Sequence, residues 1–277
     1  MTNPTELVFL GTGVSSGFPA WFCNCDMCTQ TREDPTQWRS RSSIALLGNQ
    51  TTIIDASPDI SFQLNREHIS KVHNVLLTHW HQDHIHGLGY LGEAIMLLGL
   101  GSINLYLPEG DVQYFNRQMH YVENYFDLHP ITQGKNFQVD GTTFEPVKTR
   151  HTPSSTGYIV NAGKRFAYFL DTGYPPQETI ERLKGIDLLI VEATLDFVEG
   201  EAAKRAFAGH MSLESALKLW REIDCPECIL THFSCHGVKG NIGENPIVQS
   251  FSQTERLEYE ENNPGLTLAY DGMRVSF

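Results

Sequence analysis

Short apolar runs dominate the first part of the chain: Leu7-Val8-Phe9-Leu10, Ser43 to Leu47, Thr51 to Ile54 and Val75 to Leu77. Runs this short predict β-strands, and Gly48-Asn49-Gln50 between two of them predicts a hairpin turn. Helical patterns follow at about Pro58 to Arg66, Leu88 to Leu98, Asp111 to Phe115 and Pro176 to Leu183. They alternate with further predicted strands at Asn104 to Leu107, Phe144 to Lys148 and Leu188 to Val191. A later helix is clearest, with Ser212 as its cap and Leu213, Ala216, Leu217 and Trp220 along one face. Strands and helices that interleave throughout predict an α/β protein of layered sheets covered by helices. No repeat, low-complexity tract or flexible linker interrupts the pattern, so residues 1–277 read as one domain. The aromatic stretch Gln113 to Tyr125 reads as a helical core insert, with a lid over the active region as the other reading.

Composition narrows the partners. The 277 residues are 40% hydrophobic, which suffices for a full core, and the formal charge is −13. An excess of carboxylates repels nucleic acid and anionic membrane surfaces, so neither is an expected partner. A small anionic substrate remains open, because several of the acidic residues lie in Glu255 to Glu261 and bound cations would reverse the local charge. The run Leu7 to Leu10 is too short for a secretory h-region, and no stretch approaches the ~18 apolar residues of a membrane span. A soluble, cytoplasmic protein is the expectation. Oligomeric state is unreadable, a homodimer being the commonest arrangement.

The chemistry concentrates in His79-Trp80-His81-Gln82-Asp83-His84, an H-x-H-x-D-H string between the apolar run Val75 to Leu77 and Gly87. A strand ending at Thr78 presents His79 and His81 to one cation, while Asp83 and His84, starting a helix, face a second. His151, Asp171 and His232 each follow an apolar or extended run, which places them at strand ends.

In this order the motifs resemble the metallo-β-lactamase superfamily: a strand-end Asp55, the string His79 to His84, then His151, Asp171 and His232. The resemblance implies a four-layer αβ/βα sandwich. It further implies one divalent cation (Mn2+ or Zn2+) on His79, His81 and His151, and another on Asp83, His84 and His232, with Asp171 bridging. Asp83 would count as a catalytic carboxylate as well as a ligand, and Asp55 would orient the ligand loop from beneath. An aspartate after a strand is also a common helix cap, so the role of Asp55 rests on the family pattern.

A narrower resemblance is to the PhnP-like cyclic phosphodiesterases. It is carried by Leu10-Gly11-Thr12-Gly13, Ser15 to Pro19, a C-x-C-x2-C cluster, Arg41-Ser42-Ser43 and Leu230-Thr231-His232-Phe233-Ser234-Cys235-His236. Three thiols at Cys23, Cys25 and Cys28, in a loop at about residues 20–30, suit a tetrahedral structural zinc. The family pattern places the fourth ligand at Cys235, with His236 as the alternative. Cys225 and Cys228 form a second pair that reads as buried core.

The implied activity is metal-dependent hydrolysis of a small cyclic phosphodiester such as 5-phosphoribosyl 1,2-cyclic phosphate, the cations supplying hydroxide at neutral pH. His210, before a helix N-terminus, is the candidate for leaving-group protonation or phosphate contact, and Arg41 for a second phosphate. Two other functions share these motifs: a tRNA 3′-processing nuclease, and a non-hydrolytic binding or carrier protein of quinone-cofactor biosynthesis.

Overall fold

The computed structural model describes residues 6–99, 101–194, 209–234 and 253–277. Two mixed seven-stranded sheets stack face to face. The first has the order β14 (Arg274–Ser276), β1 (Glu6–Gly11), β2 (Ser43–Leu47), β3 (Thr51–Ile54), β4 (Asn74–Leu76), β5 (Ile103–Pro108) and β6 (Phe126–Ile131). The second runs β13 (Leu266–Leu268), β12 (Glu227–Thr231), β11 (Leu188–Glu192), β10 (Lys164–Phe169), β9 (Thr156–Ala162), β8 (Thr142–Lys148) and β7 (Phe137–Val139). β2 and β3 pair antiparallel around Gly48-Asn49-Gln50, with Leu47 opposite Thr51.

The apolar runs are unbroken because both faces of these strands are covered. Leu7, Phe9, Ile44, Leu46, Ile54 and Leu76 point between the sheets, where they meet Tyr158, Val160, Phe166, Tyr168, Leu188 and Ile190. Their neighbours Val8, Leu10, Ala45, Ile53 and Val75 face the opposite way and pack on Ile60, Leu88, Leu91 and Ile95 of the helices Ile60–Arg66 and Leu88–Leu98. On the far side, Ala167, Phe169, Leu189, Val191 and Leu230 pack on Ile180, Leu183, Ala216 and Leu219 of the helices Gln177–Leu183 and Leu213–Glu222. The result is helix, sheet, sheet, helix: the four-layer αβ/βα sandwich. Ser212 caps the last of these helices by accepting a hydrogen bond from the Ser215 amide at 3.2 Å.

The stretch Gln113 to Tyr125 is a core insert, and part of it also lines a cleft. The helix Val112–Gln118 sends Phe115 into the core, followed by Met119 and Val122, while Gln113, Tyr114 and Gln118 line an open cleft beside His81. No helix among the described residues is long and apolar enough to cross a membrane.

Candidate metal centre

β3 and β4 are parallel, as are β10, β11 and β12, and the loops at their carboxyl ends converge, the usual place for a ligand in an open α/β sheet. Asp55 follows β3, His79 to His84 follow β4, Asp171 follows β10 and His232 follows β12. Asp55, Asp171 and His232 have φ of 66°, 49° and 57°, a left-handed conformation uncommon for side-chain-bearing residues. Each strand therefore turns sharply as it ends and delivers its polar side chain to the same spot. The ligand loop is clamped by main-chain bonds: the Ala56 amide donates to the His84 carbonyl at 2.7 Å, and the Gly87 amide to the Ala56 carbonyl at 2.8 Å. A Cβ on Gly87 would lie 2.3 Å from the Ser57 carbonyl oxygen, so only glycine permits this approach.

Two sets of ligand atoms face each other. In the first, His79 Nε2 lies 2.8 Å and His151 Nε2 3.0 Å from His81 Nδ1. The second contains Asp83, His84 and His232, whose ligand atoms lie within 4.8 Å of one another. Asp171 stands between, with Oδ2 at 3.1 Å from His84 Nε2 and 3.6 Å from His232 Nε2, and Oδ1 at 3.9 Å from His151 Nε2. His84 Nε2, His232 Nε2 and Asp171 Oδ2 are buried and make no hydrogen bond. Buried polar atoms that converge without bonding one another are what a cation needs, so the His and Asp donors here fit a divalent metal.

The remaining ring atoms are held from outside. His84 Nδ1 donates to Asp55 Oδ2 at 2.7 Å, and Asp55 also accepts from the Thr78 amide at 2.8 Å. His151 Nδ1 donates to the Gly209 carbonyl at 3.0 Å. These bonds select the tautomer that leaves Nε2 as the ligand atom. Burial, helped by His84 and other imidazoles, pushes His79 well below the usual histidine range, and burial likewise lowers His151, so both rings offer lone pairs. Burial opposes charge on Asp171, but His232 and His84 outweigh it and hold the carboxylate ionised. His84 is the exception: burial disfavours its charge, yet Asp83, Asp55 and Asp171 raise its pKa well above the ordinary value. A cation binding there would take the place of that proton.

His210 lines the same small cavity, but its Nδ1 is bonded to Glu192 Oε2 at 2.9 Å. Burial opposes protonation of His210, and the Glu192 carboxylate overcomes it, raising the pKa to about 9. Glu192 is fully buried at the end of β11 and also accepts from the Thr172 amide and the Thr194 hydroxyl. Sequence reading passed over this residue. Its signal was the one that marked Asp55 and Asp171, a carboxylate closing an unbroken apolar run.

The thiols of Cys23, Cys25 and Cys28 also lie within 4.8 Å of one another. The Cys25 and Cys28 amides donate to the sulfurs of Cys23 and Cys25, both at 3.4 Å, and Arg32 ties the loop by donating to the Ala20 carbonyl at 2.8 Å. Burial opposes a thiolate at Cys23, but the Cys25 amide, the neighbouring thiols and Arg32 prevail and lower its pKa. Cys235 and His236 lie outside the described residues. Cys225 and Cys228 are buried in the core, as their positions predict. Arg41 is placed differently from its sequence reading: its guanidinium pairs with Asp59 at 3.0 Å and donates to the Ser15 carbonyl at 2.7 Å, so its charge is already answered.

Comparison with known proteins follows the same lines. A coenzyme PQQ synthesis protein B of Methylobacterium radiotolerans is 28% identical over 311 residues, covering 98% of this chain and 99% of that protein. An octanoyltransferase of Porphyromonas gingivalis is 29% identical over 240 residues, or 83% of this chain, but the match spans only 46% of its length. Among solved structures, a diphosphatase from the PhnP family superposes with a TM-score of 0.78 at 25% identity, covering 99% of this chain and 97% of that one. Zn2+-bound PqqB from Methylobacterium extorquens gives 0.79 at 22% identity, covering 98% and 100%. Human tRNase Z, short form, gives 0.67 at 22%, covering 98% of each chain. The last two likenesses speak for the fold alone. Residues 50–233, which include the ligand loop and every His and Asp of the two facing sets, match the family described as the beta-lactamase superfamily domain, and the chain belongs to that family.

Proposed function

We propose that the protein is a metal-dependent hydrolase of small phosphodiesters, cyclic esters among them. The observation that carries this reading is the pair of facing ligand sets with Asp171 between them and His210, a histidine outside both sets, at their edge. Two divalent cations, when bound, neutralise the non-bridging phosphate oxygens and lower the pKa of water toward ~7. His79, His81 and His151 would hold one, and Asp83, His84 and His232 the other. A structural zinc on Cys23, Cys25 and Cys28 is part of the same reading.

His210 supplies the proton. Its Nδ1 is engaged by Glu192, which leaves Nε2 for the leaving oxygen, and a pKa of about 9 keeps the ring protonated at neutral pH. Turnover is therefore expected to fall as pH rises through the pKa of His210. Cations beside Asp171 and Asp83 cancel part of the charge that raises it, so the alkaline limb lies at or below about 9. Glu192→Gln removes the main stabiliser of the imidazolium, and the limb should move to lower pH. A pH profile of kcat that does not move in this variant would remove His210 from the proton-donor role.

Full-length similarity to a coenzyme PQQ synthesis protein favours one second reading, a non-hydrolytic carrier of the same fold. The net charge of −13 counts against tRNA as a substrate. Elemental analysis combined with turnover of bis(p-nitrophenyl) phosphate and a cyclic ribosyl phosphate, with and without Mn2+, separates the two. About one tightly held zinc with exchangeable metal and metal-dependent turnover is the expected result; metal bound at the His/Asp sets with no hydrolysis of either ester would favour the carrier.

A further inference from the structure

Three motifs of the sequence supply no ligand to the metal centre: Leu10 to Gly13, Ser15 to Pro19 and Arg41-Ser42-Ser43. The fold brings them together. After β1 the chain runs as a strap, Thr12 to Ser16, between the residue that follows His232 and the residues that lead into β2. On one side the Phe233 amide donates to the Thr12 carbonyl at 3.0 Å, and the Val14 amide to the Phe233 carbonyl at 3.3 Å. On the other, the Ser42 amide and hydroxyl both donate to the Gly13 carbonyl, at 2.9 and 3.0 Å. A Cβ on Gly11 would lie 2.0 Å from the Arg41 carbonyl oxygen, so the chain comes this close only as glycine.

Arg41 ties the strap to a second loop, Asp55 to Asp59. Its guanidinium donates to both Asp59 oxygens at 3.0 Å and to the Ser15 carbonyl at 2.7 Å, and its amide donates to Asp59 Oδ2 at 2.9 Å. Ser43 completes the tie, its hydroxyl donating to the Asp55 carbonyl at 2.8 Å. The same loop carries Asp55 and Ala56, which bond His84 at Nδ1 and at its carbonyl. The two ends of the tie therefore reach one ligand set, because His84 is held on the Asp55 loop and His232 directly precedes Phe233 on the strap. Thr194 Oγ1 lies 2.7 Å from His232 Nδ1 and orients the ring, so the strap fixes where the His232 main chain stands. His79, His81 and His151 make no hydrogen bond to the strap or to Arg41 among the described residues. With both side chains 26% exposed, the Arg41–Asp59 pair adds little energy through charge alone. Its use is geometric, since a planar guanidinium offers several donors in a fixed fork.

We propose that Arg41 is a positioning residue for the cation on Asp83, His84 and His232: with Asp59 it sets the spacing of His84 and His232, and it leaves the His79, His81 and His151 set untouched. The proposal rests on reading the facing sets as metal sites.

Calorimetric titration with Mn2+ tests it, a hard ion that thiolates disfavour, so the cysteine loop adds little to the signal. Arg41→Ala is combined in turn with His151→Ala, which leaves the Asp83, His84 and His232 set as the better site, and with His232→Ala, which leaves the other set. The expected result is Mn2+ affinity lower by about tenfold in the first background and changed by less than about twofold in the second. Arg41→Lys should recover only part of the loss, because one ammonium cannot bond Asp59 and Ser15 together. Equal weakening in both backgrounds would assign Arg41 to general stability and overturn the proposal, as would unchanged affinity in both. Asp59→Asn, which keeps an acceptor for the Arg41 amide and loses the charge, takes the place of an Arg41→Ala protein that does not fold, with the same split expected. That split in a protein that hydrolyses neither ester would sink the hydrolase reading and uphold the positioning role. A parent protein that binds neither Mn2+ nor Zn2+ at the His and Asp sets would sink the metal-centre reading, and this proposal with it.

Discussion

Asp171→Ala is expected to lower kcat by about 10³-fold or more, a loss on the order of 4 kcal/mol of transition-state stabilisation, with the fold retained. Its two oxygens face different ligand sets, Oδ2 toward His84 and His232 and Oδ1 toward His151, so no single neighbouring group can replace it. Asp171 Oδ2 makes no hydrogen bond, so its loss strands fewer donors than loss of Asp55 would, and stability should change less than rate. Circular dichroism and thermal unfolding, run beside the kinetics, give the comparison its force. Cys25→Ser serves as the contrast, expected to lower the unfolding midpoint more than the rate constant, because its thiol belongs to the loop bound by Arg32 rather than to the facing sets. Activity of Asp171→Ala within tenfold of the parent would remove the bridging role.

Asp55→Ala should be the most destabilising single change, costing about 3–5 kcal/mol. The side chain is fully buried and accepts from the Thr78 amide at 2.8 Å, the Thr78 hydroxyl at 2.9 Å and His84 Nδ1 at 2.7 Å. Alanine would leave those donors without partners at the root of the ligand loop. Metal affinity should fall as well, by about 10–100-fold, since nothing would then hold the His84 tautomer that leaves Nε2 available. Asp55→Asn separates the effects. Its amide oxygen can still accept from Thr78, recovering part of the stability, while its N–H2 facing His84 Nδ1 favours the wrong tautomer and keeps metal affinity low. Denaturant unfolding and metal titration of both variants check this; an Asp55→Ala protein as stable as the parent would refute the buried-anchor role.

Much of the architecture was legible along the chain because both sheets are covered on both faces. Buried strands leave unbroken apolar runs, so Leu7 to Leu10, Thr51 to Ile54 and Leu188 to Val191 were readable with short-range rules. Strands such as Phe126–Ile131 and Thr156–Ala162 were not read, since the first carries Asp127, His129 and Pro130, and the second is interrupted by Gly157 and Asn161. Gln113 to Tyr125 had one apolar and one polar role on the same short helix, so a choice between core and cleft could not be made from composition.

Residue identity and local spacing were enough to single out the string His79 to His84 and the strand-end positions of His151, Asp171 and His232, because metal chemistry limits which side chains serve and strand ends limit where they stand, whereas Asp55 was picked out only by the family resemblance. Distances between separate loops were another matter. The pairing of His210 with Glu192, the capture of Arg41 by Asp59, and the bond from the Phe233 amide to Thr12 all join residues many positions apart. Such contacts depend on how two sheets stack and where their loops end. A side chain's charge and hydrogen bonds are set by its neighbours in space, and only the folded chain chooses those.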